Sequence, residues 1–129
     1  MIPFRLTFEP GTSLYEQVVY AAKKALVAGQ LRPGDPFPSV RALSRELKIN
    51  PNTAHKVVAQ LVQEGVLEVV PGQGTVVAKR QAPTRAERTG LLGATLEELV
   101  VEARKMGLSL EEVRTALETQ WQRLGGKPK

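Results

Sequence analysis

The sequence lacks cysteine entirely and has little histidine or aromatic content. Because there is no thiol, neither a disulfide framework nor a thiolate metal site is possible. One tryptophan, two tyrosines and three phenylalanines are too few for the base-stacking platform of a single-strand binder. No apolar run approaches the ~18 residues of a membrane helix, and the first residues lack the apolar core of a signal peptide. We therefore expect a cytoplasmic protein with no membrane partner.

Catalytic and cofactor-binding constellations are also missing from the sequence. His55 is the sole histidine, and neither a Ser/His/Asp set nor a carboxylate cluster that would complete a metal site can be assembled around it. The acidic pairs at 97–98 and 111–112 fall in predicted first helical turns, where negative charge complements the helix dipole. Residues 72–75 lack the GxxxxGK[ST] spacing of a phosphate loop. The sequence therefore predicts a protein that is not an enzyme and uses no metal or cofactor.

Positive charge is concentrated in one part of the chain, which carries a net charge of +5 over 129 residues. Residues 1–90 contain 12 Lys or Arg and seven Asp or Glu, whereas residues 91–129 contain six of each. An electrostatic footprint on nucleic-acid phosphates requires such a local excess, but a merely basic surface would show the same composition. Charge alone leaves both interpretations open.

The sequence between Ser39 and Gly65 predicts two short helices joined by a tight turn. Ser39 is a good N-cap for the first helix, whose inward face comprises Val40, Leu43, Ser44 and Leu47. Asn50 can cap the second helix, and Pro51 fits its first position because the N–H it lacks would be unpaired there. The inward face of the second helix comprises Ala54, Val57, Val58, Leu61 and Val62. Ile49 can fill the space between the two helices with its side chain, and Gly65 ends the second helix. The pattern is therefore that of a helix-turn-helix.

A β-hairpin is predicted after the helix-turn-helix. Residues 66–70 and 75–78 are rich in β-branched side chains and flank the tip Pro71-Gly72-Gln73-Gly74. Upstream, residues 31–38 contain too many prolines for a helix and predict a turn and a short strand that can pair with the hairpin. A helix-turn-helix followed by a hairpin is a winged helix, and the second helix normally enters the DNA major groove.

A family resemblance rests on four motifs of this region: Pro38-Ser39-Val40-Arg41-x-Leu43, Asn50-Pro51-Asn52-Thr53, Glu64-Gly65 and Gly72-x-Gly74-Thr75. Together with Tyr15-Glu16-Gln17 and Pro33-Gly34-Asp35, they resemble the GntR family of bacterial transcription regulators over about residues 10–80. The Asn-Pro-Asn-Thr motif and the short C-terminal tail resemble the YtrA subfamily in particular. The resemblance implies a DNA-binding winged helix that dimerises through a C-terminal pair of helices.

A further helix is predicted ahead of the helix-turn-helix. Ser13 and Glu16 form the signature of a capping box, and Gly29 ends the helix that follows. The predicted inward face comprises Leu14, Val18, Ala21, Ala22, Ala25 and Leu26. Residues 4–8 alternate apolar and polar side chains, as in a short edge strand or an extended arm.

The C-terminal tail follows a polar, basic linker at residues 79–83. Thr84 and Glu87 offer a capping box, but Gly90 and Gly93 each cost a helix up to ~1 kcal/mol, so the helix could begin at Thr95 instead. Its apolar face comprises Leu92, Leu96, Leu99, Ala103 and Met106.

A last helix is predicted after Gly107, capped by Ser109 and Glu112, with the apolar stripe Leu110, Val113, Leu117, Trp121 and Leu124. Since two helices cannot fully bury both stripes against each other, we expect a second copy of the chain as partner. The alternative is that they fold back onto the winged helix as ordinary core. The predicted dimerisation residues are Leu92, Leu96, Leu99, Leu110, Val113, Leu117 and Trp121.

The predicted fold is therefore mainly α with a small β-hairpin wing. Residues 1–79 form the winged helix-turn-helix, and residues 80–129 form the linker and a two-helix dimerisation tail.

DNA contacts are expected from the polar face of the second helix and from the wing. A helix N-terminus can meet phosphates or base edges, and the glycines at the hairpin tip allow close approach to a minor groove. By resemblance, Arg41 matches the arginine with which GntR proteins contact the operator, and His55 takes a position often held by a second arginine. The predicted DNA-binding residues are Ser39, Arg41, Asn50, Asn52, Thr53, His55, Lys56, Gly72, Gln73 and Gly74.

These features favour a homodimeric, sequence-specific transcriptional regulator acting on a pseudo-palindromic operator in double-stranded DNA. A repressor is favoured over an activator because no polymerase-contacting segment is evident. Two alternatives stay open, a non-specific nucleic-acid binder and a winged helix used for protein–protein assembly. A small-molecule effector is possible but unidentified. Since two helices can hardly wall a self-contained pocket of ~300 Å³ or more, we expect any effector to bind at the dimer interface or between the tail and the winged helix.

Overall fold

The computed structural model describes residues 10–79 and 82–125, and the predicted edge strand or arm at residues 4–8 lies outside them. Close contacts group the chain into two units that meet in sequence between Arg80 and Gln81. The first contains helices α1 (Leu14–Val27), α2 (Val40–Leu47) and α3 (Pro51–Gln63) and strands β1 (Leu67–Val70) and β2 (Gly74–Val77). The second contains α4 (Arg85–Gly90), a π-helical segment (Leu91–Thr95), α5 (Leu96–Lys105) and α6 (Leu110–Gly125).

The core of the first unit lies where α1 and α2 pack on α3 and where α3 meets the hairpin. Its largest fully buried side chains are Leu43, Leu61, Leu67, Val18, Val57 and Val77. Ile49 is also buried, as predicted for the joint between α2 and α3. The predicted inward face of α1 is confirmed except at Leu14, which is 42% exposed. Helical side chains lean towards the N-terminus, so a residue in the first turn projects beyond the helix and loses its packing partners.

The hairpin is antiparallel, with Leu67 opposite Val77 and Val70 opposite Gly74 at the turn. The segment before α2 pairs with β2 as predicted, but it forms a single bridge, Pro36 with Val76, instead of a strand. The Phe37 N–H donates to the Thr75 carbonyl at 2.9 Å. The Asp35 N–H donates to the Arg32 carbonyl at 2.9 Å instead of to β2, so the regular ladder stops on that side of the bridge. The bridge ties the wing to the chain that leads into α2.

The first tail helix begins at the predicted capping box. Thr84 Oγ1 accepts from the Glu87 N–H, and Glu87 Oε1 accepts from the Thr84 N–H. The alternative start at Thr95 is wrong, because that residue is helical and caps nothing. Gly90 and Gly93 do not break the helix: they fall at the end of α4 and inside the π-helical segment, whose wider turn holds one extra residue.

The apolar stripes of the tail stay largely exposed in the single chain. Trp121 is 73% exposed, so it does not cap a core formed by the two tail helices of one chain. Ala103 is the one buried apolar side chain among the described tail residues. The exposed large side chains are Leu91, Leu92, Leu96, Leu99, Val100, Val101, Met106, Leu108, Leu110, Leu117 and Trp121. Among residues 10–79 and 82–125, no helix has the length and apolarity needed to cross a membrane.

Candidate nucleic-acid interface

The joint between α2 and α3 sets the direction in which α3 leaves the core. Lys48 ends α2 with a positive φ of 57°. Ile49 then turns inward, and its carbonyl accepts a hydrogen bond of 2.6 Å from the Ser44 hydroxyl. The Ile49 N–H donates back to the Ser44 carbonyl at 3.1 Å. With both backbone groups paired and its side chain buried, the turn holds α3 at one angle to α2.

The N-terminus of α3 is capped by the chain itself. Asn50 Oδ1 accepts from the Asn52 N–H at 2.7 Å, and the Asn50 carbonyl accepts from the Ala54 N–H at 3.0 Å. Pro51 has no N–H to satisfy. Within the described residues this leaves the Thr53 N–H as the first-turn donor without an acceptor. Asn50 Oδ1 accepts in the cap, and the amide nitrogen of this side chain can donate to an outside acceptor such as a phosphate oxygen.

The N-terminus of α2 has the same construction. Ser39 Oγ accepts from the Ala42 N–H at 3.1 Å, and this hydroxyl can still donate its own proton. Arg41 follows in the first turn and is exposed. Both helices of the motif therefore offer an outward-pointing donor beside a capped N-terminus.

The polar face of α3 is open to solvent, whereas the opposite face is buried. Asn52, His55 and Lys56 are exposed, and Thr53 is half-buried. Ala54, Val57 and Leu61 are fully buried on the other side. The helical repeat therefore gives α3 a core face and an outer face that can enter a groove.

Cations of the helix-turn-helix lack acidic partners. Arg41, Arg45, Lys48 and Lys56 are exposed, and none pairs with a carboxylate within the described residues. Arg45 and Lys48 were absent from the predicted site because a basic helix surface has no signal that separates phosphate contact from solvation. Their freedom from acidic partners in the structure is the observation that adds them as candidates.

An ion pair among the described residues of this unit lies between α1 and the end of α3. Lys23 Nζ is 2.9 Å from Glu64 Oε1, and Gln60 donates to Glu64 Oε2 at 2.6 Å. The hydrogen bond from Gln60, followed by that from Lys23, lowers the pKa of Glu64 below its usual value. This acidic group is therefore neutralised by its own neighbours.

The wing tip is a tight turn with an accessible backbone. The Gln73 N–H donates to the Val70 carbonyl at 3.0 Å, and Gly72 has a φ of 83°. Proline followed by a positive-φ glycine is the sequence of a type II turn. Residues 71–74 are all exposed, so the backbone can approach a ligand closely at the two glycines. Elsewhere, no group of three or more His, Cys, Asp or Glu in the described ranges could hold a metal ion.

Comparison with known proteins identifies this arrangement. The sequence model for bacterial regulatory proteins of the gntR family matches residues 14–77. The chain is 33% identical over 103 residues to the HTH-type transcriptional repressor YtrA of Bacillus subtilis, with 79% of each chain covered. This chain belongs to the GntR family.

Other relatives agree with this membership. An uncharacterised HTH-type transcriptional regulator of Bacillus subtilis, YhcF, is 30% identical over 112 residues, which cover 87% of this chain and 93% of that protein. A crystal structure of a transcriptional antiterminator from Listeria monocytogenes has a TM-score of 0.83 at 25% identity, covering 97% of this chain and 96% of that one. The chain is therefore a YtrA-like GntR winged-helix protein, a DNA-binding transcriptional regulator and not an enzyme.

Proposed function

We propose that this GntR regulator is a homodimeric repressor that places α3 in the major groove at each half-site of a pseudo-palindromic operator. The observation that carries the proposal is the exposed polar face of α3, with Asn52, His55 and Lys56 beside an N-terminus whose Thr53 N–H is free. By binding its operator the dimer blocks access to the promoter. The protein acts in the cytoplasm, where the DNA lies.

The side chains divide into two roles. Arg41 and Lys56 are long cations that meet phosphates and position the protein. Asn52 and His55 project from the first turns of α3 and read base edges, where each good contact contributes about 1–3 kcal/mol of discrimination. Weaker donors that complete the phosphate contacts are the hydroxyl of Ser39, the amide nitrogen of Asn50 and the backbone of Thr53. The backbone at the wing tip, at Gly72, Gln73 and Gly74, approaches the minor groove.

Dimerisation supplies the affinity that a single module lacks. One winged helix covers too few base pairs to compete against the non-specific sites of a genome. Large exposed apolar patches on a single chain mark interaction surfaces, and both tail helices expose large apolar side chains. The proposed interface comprises Leu92, Leu96, Leu99, Leu110, Val113, Leu117 and Trp121. Two copies joined in this way would read half-sites about one helical turn, ~34 Å, apart.

Footprinting of the full-length protein on genomic fragments tests the proposed DNA binding. Two protected half-sites about one turn apart, lost in Arg41→Ala, are the expected result. Uniform protection at every sequence would instead indicate a non-specific nucleic-acid binder. Absence of protection at any concentration would indicate a winged helix used for protein assembly.

Sedimentation of two α5 variants tests the dimer. Leu96 lies on the predicted stripe, whereas Val101 is exposed on the opposite side of the same helix. Leu96→Lys should give a monomer at micromolar concentration, and Val101→Lys should sediment like the unmodified protein. Because both side chains are exposed in the single chain, neither change should unfold it. A dimeric Leu96→Lys variant, or a monomeric unmodified chain, would contradict the assignment.

A further inference from the structure

The positive charge of the chain is most concentrated directly after the winged helix. Residues 10–78 contain seven Lys or Arg and five Asp or Glu. The ten residues 79–88 contain four Lys or Arg and one Glu. Residues 89–125 contain four Lys or Arg and six Asp or Glu. The cationic segment also falls outside residues 14–77, which the family model matches. Its charge therefore belongs to neither the helix-turn-helix nor the wing.

Arg85 and Arg88 are exposed and have no carboxylate partner within the described residues. Glu87 lies one and two residues from them, at spacings where side chains on a helix do not face each other, and its Oε1 accepts from the Thr84 N–H at 2.8 Å in the capping box. Three residues apart on one helix, the two arginines share a face. They form a pair of unneutralised guanidinium groups pointing to the same side.

This placement opposes ordinary helix energetics. Arg85 is the first residue of α4, where a cation faces the positive end of the helix dipole. Arg85 and Arg88 also repel each other as like charges at i, i+3. The first turns of α4 and α6 otherwise follow the dipole, with Glu87 in α4 and Glu111 and Glu112 in α6, so Arg85 is the exception. Local rules broken without a compensating contact are typical of functional sites, and an anion from outside the chain would offset both unfavourable interactions.

We propose that Arg85 and Arg88 bind DNA phosphates and so extend the interface beyond the helix-turn-helix and wing. The proposal rests on the operator binding proposed above. Covalent reach favours DNA over another polyanion: Lys79 follows β2 by two residues, and the chain from Lys79 to Arg85 spans at most about 22 Å. The connecting chain is therefore short enough to keep the two arginines near a duplex that the wing binds.

The test compares salt dependence in two double variants of the full-length protein. Arg85→Gln/Arg88→Gln removes the proposed contacts, and Arg104→Gln/Arg123→Gln removes the same charge from exposed arginines elsewhere in the tail. In the first variant the slope of log K against log salt should fall by up to about 3.6, since each contact contributes ~0.9 and a dimer has four. Phosphate contacts carry no sequence information, so the affinity ratio of operator to scrambled DNA should not change. The control should keep the unmodified slope.

A third variant, Arg85→Lys/Arg88→Lys, separates charge from helix structure and should restore most of the slope. An unchanged slope in the glutamine variant, or an equal change in the control, would overturn the proposal. Weakened repression with an unchanged slope would assign the arginines to a protein partner and would also overturn it. If the unmodified protein protects no operator, the proposed function fails first and this inference fails with it.

Discussion

Substitutions at Asn50 should change the stability of α3 and the affinity for DNA independently, because the side-chain oxygen and nitrogen have different roles. Oδ1 caps α3 through the 2.7 Å bond to the Asn52 N–H, whereas the amide nitrogen is free to donate to a phosphate. Removing an N-cap side chain costs about 1 kcal/mol, roughly a fivefold shift in the folding equilibrium. For a unit of this size that loss corresponds to a decrease in melting temperature of about 4–8 °C.

Two substitutions at this position should have crossed effects. Asn50→Ala loses both the cap and the donor, so the melting temperature and the operator affinity should both fall. Asn50→Asp keeps a capping oxygen and adds negative charge at the helix N-terminus, which the dipole favours. Its melting temperature should match or exceed that of the unmodified protein, but its affinity should fall because a carboxylate repels phosphate.

Thermal melts followed by circular dichroism measure the effect on stability. Affinities measured at 25 °C, where all forms are folded, give the effect on DNA binding separately. Asn50→Ser is the matched control, since it keeps a cap without adding charge. An aspartate variant that melts as early as the alanine variant would refute the cap as the source of stability. An aspartate variant that binds as tightly as the unmodified protein would place Asn50 away from the DNA.

Three further expectations follow from burial and charge. Leu43→Ala should lower the free energy of unfolding in urea by about 2–5 kcal/mol, because this side chain is fully buried. Leu14→Ala should lower it by under about 1 kcal/mol, because Leu14 is exposed, and equal losses would contradict the packing described. Glu64→Gln should destabilise by up to about 1 kcal/mol at pH 7. Because the hydrogen bonds from Gln60 and Lys23 lower the pKa of Glu64 on folding, that stability is present above its unfolded pKa and is lost as the pH falls through the folded pKa. The two proteins should therefore converge in acid, and a difference in melting temperature that stays constant across pH would contradict the lowered pKa. Lys56→Ala should reduce the salt slope of a dimer by ~1.8, and an unchanged slope would remove this residue from the interface.

Local chemistry made much of the fold predictable from sequence. Ser39, Asn50 and Gly65 act within one helical turn of their own position, so short-range rules locate both helices of the motif. The inward faces of the helices were predictable because buried positions repeat with the helical period. The same rules also found the capping box at Thr84, although they left the start of that helix undecided.

Features that depend on how far neighbours extend were not predictable. Leu14 lies on the core-facing side of α1, but its side chain projects past the end of the helix. The helical period does not show where the elements that pack against α1 end. The π-helical segment depends on how the chain around Gly93 accommodates an extra residue, whereas helix propensity counts only an average cost for glycine. The commitment of Asn50 Oδ1 to the cap required atomic contacts, since residue type alone allows either role. The DNA contacts themselves stay predictions.

The recognition helix is held at both ends by its own chain, by the cap at Asn50 and by the bond from the Val66 N–H to the Leu61 carbonyl after Gly65. A binding surface that is already ordered loses little conformational entropy when its ligand arrives. Association with an operator therefore needs no folding step, and its rate should be limited by diffusion and electrostatic steering. Differences in affinity among operators would then lie mainly in how long each complex survives, so the residence time on DNA should distinguish strong operators from weak ones.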